Sequence, residues 1–440
     1  MQLRSIPINV NLCRAISGQM NSSAHKPSRL FNNRDISMLR RDPQQPWHPS
    51  YWLAALGAGG LSISFFMYLM WMVPHDGFAM PTWDHLAGVF SGTLALPSGV
   101  RPLAILAVII MVLLGLLHFT LVIWNLREQS AARKTERYAD WLNTPNEVQL
   151  MTQPLALAMT VNVCFALGAL LVPGLWSVVE YLFPLALIAF AAIGVWALRI
   201  YGRYLSRLLV KGGYRSDEHN HLSPLIAVFT FAMLSVGFAA PAAMSHTQAL
   251  SVLASTLSIL FLMVALVTGL IVLISGLQAM MQHGLQPQAT PSVWMLVPIM
   301  TLLGIEWVRM QHGLDLHFAT PIVQSKIFVM LTGIFMLQLG IMLLGYRVMQ
   351  LNGYLKSHFK GDQRNPISFG LICPGVAVFV MGMFWWHLVW VDSGIVIAFS
   401  PVYWVAIALL AVVQFYTLIA LVRLSSRLLR YKPVIIASMQ

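Results

Sequence analysis

Ten runs of 17 to 29 residues along this 440-residue chain contain only two charged side chains, Glu180 and Glu306. A soluble domain carries about 25% charged residues, whereas this chain carries 10%, with 58% hydrophobic residues and a mean hydropathy of +0.72. Runs of that length without charge are what a bilayer core of roughly 30 Å demands. They cover Tyr51–Val73, Pro102–Trp124, Pro154–Val172, Val178–Trp196, Pro224–Met244, Leu250–Gln278, Ser292–Val308, Ile327–Leu344, Pro366–Leu388 and Phe399–Leu421. In lipid every backbone polar group has to be satisfied internally, which leaves helices or closed barrels. The period-two alternation of a barrel strand is absent. The chain is therefore an all-α polytopic membrane protein by pattern, with the lipid bilayer as its first partner.

Every second run begins with a proline: HPSYWLAAL from His48, QPLALAM from Gln153, SPLIAVF from Ser223, TPSVWML from Thr290 and NPISFGL from Asn365. Proline suits the first helical position because that N–H has no intrahelical partner, and Ser, Thr or Asn before it can cap the helix. From Pro154 onward the prolines are 70, 67 and 75 residues apart. That spacing predicts five hairpins of two helices each around a central pathway. The proline-marked odd helices belong inside, because exposed backbone is tolerated only against protein or a water-filled cavity.

The formal net charge of +12 is a topology signal and not a nucleic-acid footprint. Of the 27 Lys and Arg residues, 24 lie in the two tails and in the connections after the second, fourth and eighth runs, all on one side. The opposite connections hold Arg101, Arg309 and Lys326. The positive-inside rule then places both termini in the cytoplasm. The organisation expected is a basic, disordered cytoplasmic tail over residues 1–47, a ten-helix membrane domain over 48–424 and a basic cytoplasmic tail over 425–440. Cys13, Cys164 and Cys373 imply no disulfide framework, and the pattern calls for no cofactor and no metal.

The connections on the basic side are longer, while the opposite ones are short except Pro74–Val100. This polar loop, with Trp83, Asp84 and His85 in a row, reads as a loose connection in preference to a cover over the outer mouth. Gly57, Gly59 and Gly60 in the first run let helices approach closely, or thin the wall of a pore. In the ninth run, NPISFGLICPGVAVFVMG, Pro374 cannot donate to the Gly370 carbonyl, so the helix bends there. Pro298 repeats the device in the seventh run. Cys373 is seven residues after Pro366, Pro298 seven after Pro291 and Asn162 eight after Pro154, so the three are expected in one interior layer. Glu306 is expected to pair with Arg309 at an outer helix end, and Glu180 to lie at an interface. His312, Asp315 and His317 match no regular helical ligand spacing. His118 and His387 read as satisfied helix-face residues in preference to haem ligands.

The segments AALGAGGLSISFFMYLMWMVPH and NPISFGLICPGVAVFVMGMF resemble the TsoY family of bacterial membrane (seleno)proteins from about His48 onward. That family is similar to the tellurite-resistance/dicarboxylate transporter group, which includes TehA and the plant slow anion channels. The resemblance implies ten helices in five hairpins around a pore, odd helices inside, a homotrimer, and residence in the bacterial inner membrane. It also implies that Cys373 occupies the position of a selenocysteine in some members. In the anion channels a phenylalanine before a proline on the ninth helix blocks the pore, and the LICP segment puts Cys373 there instead.

Two functions follow. The first is a channel or transporter for a small solute, an anion by resemblance, with Cys373, Pro374, Gly370, Pro298, Asn162, Gly57, Gly59 and Gly60 along its pathway. The second is a membrane thiol redox protein using Cys373. No Lys, Arg or His lies within a helical turn of Cys373 to lower its pKa, which favours transport over an enzyme.

Overall fold

The computed structural model of the chain describes residues 39–42, 45–142, 144–212, 220–361 and 363–430. Most of the amino-terminal tail, Cys13 and residues 431–440 lie outside these. Twelve α-helices follow one another: α1 (Trp52–Met72), α2 (Trp83–Ser91), α3 (Val100–Ala132), α4 (Glu136–Trp141), α5 (Thr152–Leu171), α6 (Val179–Lys211), α7 (Leu225–Met244), α8 (Gln248–His283), α9 (Leu296–Phe318), α10 (Gln324–Leu351), α11 (Ile372–Trp385) and α12 (Pro401–Leu428). All except α2 and α4 belong to ten segments long and apolar enough to cross a membrane. Among the described residues no strand forms, only one bridge between Arg40 and Arg430.

Helices α1, α5, α7, α9 and α11 touch in a closed cycle, α1 on α5, α5 on α7, α7 on α9, α9 on α11 and α11 on α1. The other five fill the outer grooves: α3 lies on α1 and α5, α6 on α5 and α7, α8 on α7 and α9, α10 on α9 and α11, and α12 on α11 and α1. Composition explains the sorting. The five inner segments have mean hydropathies between 1.5 and 2.1, and the five outer ones between 2.2 and 3.0. Lipid is as apolar as leucine, so the Leu- and Ile-rich helices lose nothing by facing it. The Gly-, Ala- and Ser-rich ones gain by close packing. In α7, 94% of the most apolar window is buried, and in α6, α10 and α12 only 28%.

Hydrogen bonds between buried side chains and neighbouring helices tie inner to outer. Ser62 donates to the Met111 carbonyl (2.8 Å), Tyr68 to Gln414 (2.9 Å), and Gln414 to Ser64 (2.8 Å). Gln338 donates to the Val297 carbonyl (2.8 Å) and to Thr301 (2.6 Å). At Gly313 an added Cβ would lie 2.6 Å from the Ala242 carbonyl oxygen, so α7 and α9 meet there backbone to backbone.

The prolines act differently from the expected mid-helix bend. Residues Pro145–Met151, Pro287–Met295 and Pro366–Leu371 form 3₁₀ turns, and α5, α9 and α11 follow directly. Pro154, Pro298 and Pro374 are each the third residue of the α-helix, where an N–H would have no intrahelical α partner. Pro154 therefore matches Pro298 and Pro374, not Pro291 and Pro366. This also undoes the single layer expected for Asn162, Pro298 and Cys373. Ile372 abuts Gly57, and Met159 abuts Gly59. By that register Asn162, the eleventh residue of α5, lies farther along the axis than Cys373, the second residue of α11.

Candidate central pathway

The inner helices enclose a cavity of about 590 Å³, within the 300–1,000 Å³ range of small-molecule sites. It runs from Gly57, Met159, Phe229, Pro298 and Cys373 at its deep end to His75, His312 and Asp392 at the face opposite the termini. Its walls are mostly Met, Phe, Ile, Val and Ala. A second space of about 20 Å³ lies toward the termini, with a mixed lining in which Ser50, Gln149, Thr152, Ser223 and Ser292 alternate with Leu53, Ile226, Pro291, Met295 and Ile367. Each inner helix lines the large space, and it or the segment just before it lines the small one.

Between the two spaces is a waist. On four of the five membrane-crossing inner segments the last residue lining one space is followed three residues later by the first lining the other: Leu53 and Leu56, Ile226 and Phe229, Met295 and Pro298, Gly370 and Cys373. The barrier there is three residues thick, about 4.5 Å at the α-helical rise. Leu53, Leu56, Ile226 and Phe229 are all buried in it, between 2% and 4% exposed. An added Cβ on Gly370 would lie 3.8 Å from Leu53 Cδ1, so the leucine packs directly against this glycine.

Of the residues singled out from sequence, Gly57, Gly60, Asn162, Pro298 and Cys373 line the large cavity, and Gly370 lines the small one. Gly59 and Pro374 line neither. Gly59 instead admits His118 and Met159, which a Cβ would approach to 2.7 and 2.8 Å. Asn162 donates to the Met233 sulfur (3.5 Å). Cys373 is buried, 8% exposed, among hydrophobic neighbours.

His118 and His387 have both ring nitrogens engaged. His118 Nδ1 donates to the Ala55 carbonyl (2.7 Å) and its Nε2 pairs with the Thr160 hydroxyl (2.9 Å). His387 Nδ1 donates to the Met383 carbonyl (2.8 Å) and its Nε2 accepts from Tyr403 (2.9 Å). Glu180 accepts from Ser245 (2.8 Å) and from the His246 N–H (2.7 Å), closing the α7–α8 turn. Among the described residues no group of three His, Cys, Asp or Glu side chains gathers as metal ligands would.

Two expectations are corrected here. Glu306 and Arg309 form no ion pair: Glu306 is buried and accepts from Ser258 of α8 (3.2 Å), while Arg309 donates through Nη1 to the Val236 carbonyl of α7 (2.8 Å). Positions three apart on a helix are offset by about 60°, and here the offset sends the acid outward and the base toward the cavity. Nor is Pro74–Val100 loose. Its Phe78, Ala79 and Met80 line the cavity mouth. Thr82 and His85 cap α2 reciprocally, and Arg101 holds the Gly92 and Leu94 carbonyls (3.2 and 3.1 Å).

Arg309 is the functional candidate that the sequence reading passed over. It lines the cavity, half-buried, and none of the three ion pairs among the described residues includes it. The signal was available in the helical stripe Pro298, Thr301, Ile305, Arg309, His312, all of which line the cavity. His312 and His75 each donate through Nδ1 to a carbonyl, of Val308 (2.8 Å) and Val73 (2.7 Å). Partial desolvation pushes the Asp392 carboxyl upward from its ordinary value. In comparisons with known proteins, no family model and no curated protein matches this sequence.

Proposed function

We propose that this chain is a membrane channel or transporter for a small anion, which moves along the axis of the inner ring. The observation carrying this reading is a largely apolar central cavity of about 590 Å³ into which one arginine, without a carboxylate partner, projects. A cation in such a setting attracts an anion by roughly 4 kcal/mol at 4 Å with an effective dielectric of 20, and it repels cations equally. The ten-helix ring also fits the TsoY and tellurite-resistance resemblance, and the basic residues fit cytoplasmic termini in a bacterial inner membrane.

The waist makes this conformation a closed one. A narrow apolar constriction excludes water, and an ion crossing it would shed hydration without replacement. Conduction therefore requires Phe229, Leu56 and Leu53 to move apart, or requires alternating exposure of the cavity.

Purified protein in proteoliposomes tests the reading. Flux of monovalent anions above that of empty vesicles, with potassium excluded, is the expected result. Vesicles indistinguishable from empty ones for every small anion, with correctly folded protein inserted, would overturn it.

A further inference from the structure

The cavity is divided chemically along its length. Its mouth carries Arg309, His312, His75 and Asp392, and below them the lining is dominated by Met, Phe, Val and Ala. The two polar side chains deeper in are already occupied. Thr301 donates to the Ala377 carbonyl (3.0 Å) and Asn162 to the Met233 sulfur. Arginine has five N–H donors in a planar fork, and Arg309 uses one on the Val236 carbonyl. The structure gives its remaining donors no protein acceptor.

From this juxtaposition we infer that the cavity is a binding site for an amphipathic organic monoanion, a carboxylate or sulfonate with a short apolar body. Its charged group sits on Arg309 and its body extends toward Met159 and Phe229. The assignment rests on the anion-pathway reading and narrows its substrate class. A planar guanidinium fork matches two oxygens of one head group. An inorganic anion would meet Arg309 equally well but leave the chamber below without a complementary partner. A dianion would bring a second charge that no permanent cation in the lining matches. An apolar body, in contrast, is removed from water against these walls, in proportion to the area it buries.

The test uses n-alkanesulfonates, which stay ionised and do not leak through lipid as neutral acids. Binding to the full-length detergent-solubilised chain is followed by calorimetry, with chloride as reference. Affinity should rise about four-fold per methylene from methane- to butanesulfonate, the ~0.8 kcal/mol of a buried methylene. It should then level off as the chamber fills. Arg309→Gln should weaken butanesulfonate at least ten-fold and Arg309→Lys less. Val161→Phe, which fills the chamber from α5, should flatten the chain-length series while sparing methanesulfonate. The thermal midpoint of each variant reports folding, and Lys at 309 keeps the test informative if Gln does not fold. Affinity independent of chain length, or unchanged in Arg309→Gln, overturns the site. Binding with the expected series but without flux overturns only the transport reading, and flux with no Arg309 dependence overturns only this one.

Discussion

Replacing Phe229 by alanine tests the waist most directly. The ring closes the deep end of the cavity from α7 and is 4% exposed. Only three residues, about 4.5 Å, separate it from the small space lined by Ile226. Removing six ring carbons joins the two spaces by a void able to hold a few waters at ~30 Å³ each. The stability cost belongs at the lower end of the 3–5 kcal/mol usual for Phe→Ala, because one side of the ring already faces a void. The barrier in the intact waist is the desolvation of an ion, worth several kcal/mol. Wetting that removes 2–3 kcal/mol of it would raise flux by about 30- to 150-fold. Stopped-flow anion influx into proteoliposomes measures this, with Phe229→Leu expected between wild type and alanine. Phe415, 61% exposed on the outer helix α12, serves as the control, and its alanine variant should leave flux unchanged. A folded Phe229→Ala protein with wild-type flux would refute the waist as the barrier.

Cys373→Ala should keep the fold and raise flux less than Phe229→Ala, since it removes one sulfur from the same layer; a larger effect would move the barrier to α11. A small thiol reagent entering from the face opposite the termini should label Cys373 and slow flux, and protection by butanesulfonate would place both in one cavity. Reporter fusions at Gly77 and Gly394 should read external if the basic faces are cytoplasmic, and an internal signal at either contradicts that orientation. Gly313→Ala should lower stability by about 1–3 kcal/mol, visible as a reduced melting temperature, because its Cβ meets the Ala242 backbone and not a yielding side chain. His48 accepts a hydrogen bond from the Ser50 N–H on Nδ1, and burial pushes its imidazole down to about 4. The stability tied to neutral His48 is complete above pH 6.5 and lost as pH falls toward 4, so His48→Asn, which can still cap, should melt with a shallower pH dependence in that window.

Much of the architecture is legible in the sequence because lipid imposes a simple rule on each helix separately. Ten runs without charge mean ten spanning helices whatever their partners are. The difference in hydropathy between alternate runs sorts inner from outer helices, since the Gly-, Ala- and Ser-rich ones gain most by close packing against protein. Proline spacing marks the same alternation, although it assigned the wrong equivalents: a 3₁₀ turn and an α-helical first turn both accept proline, and the letters do not say which one follows. Side-chain direction is the property that only the tertiary structure decides. Glu306 and Arg309 look like partners at three residues' separation, but α8 offers Ser258 to the acid and α7 offers the Val236 carbonyl to the base. That choice leaves a cation facing the cavity. The waist has the same origin: Leu53, Leu56, Ile226 and Phe229 are ordinary apolar residues in sequence. They become a barrier only because ring closure brings α1 and α7 to one axis at one depth.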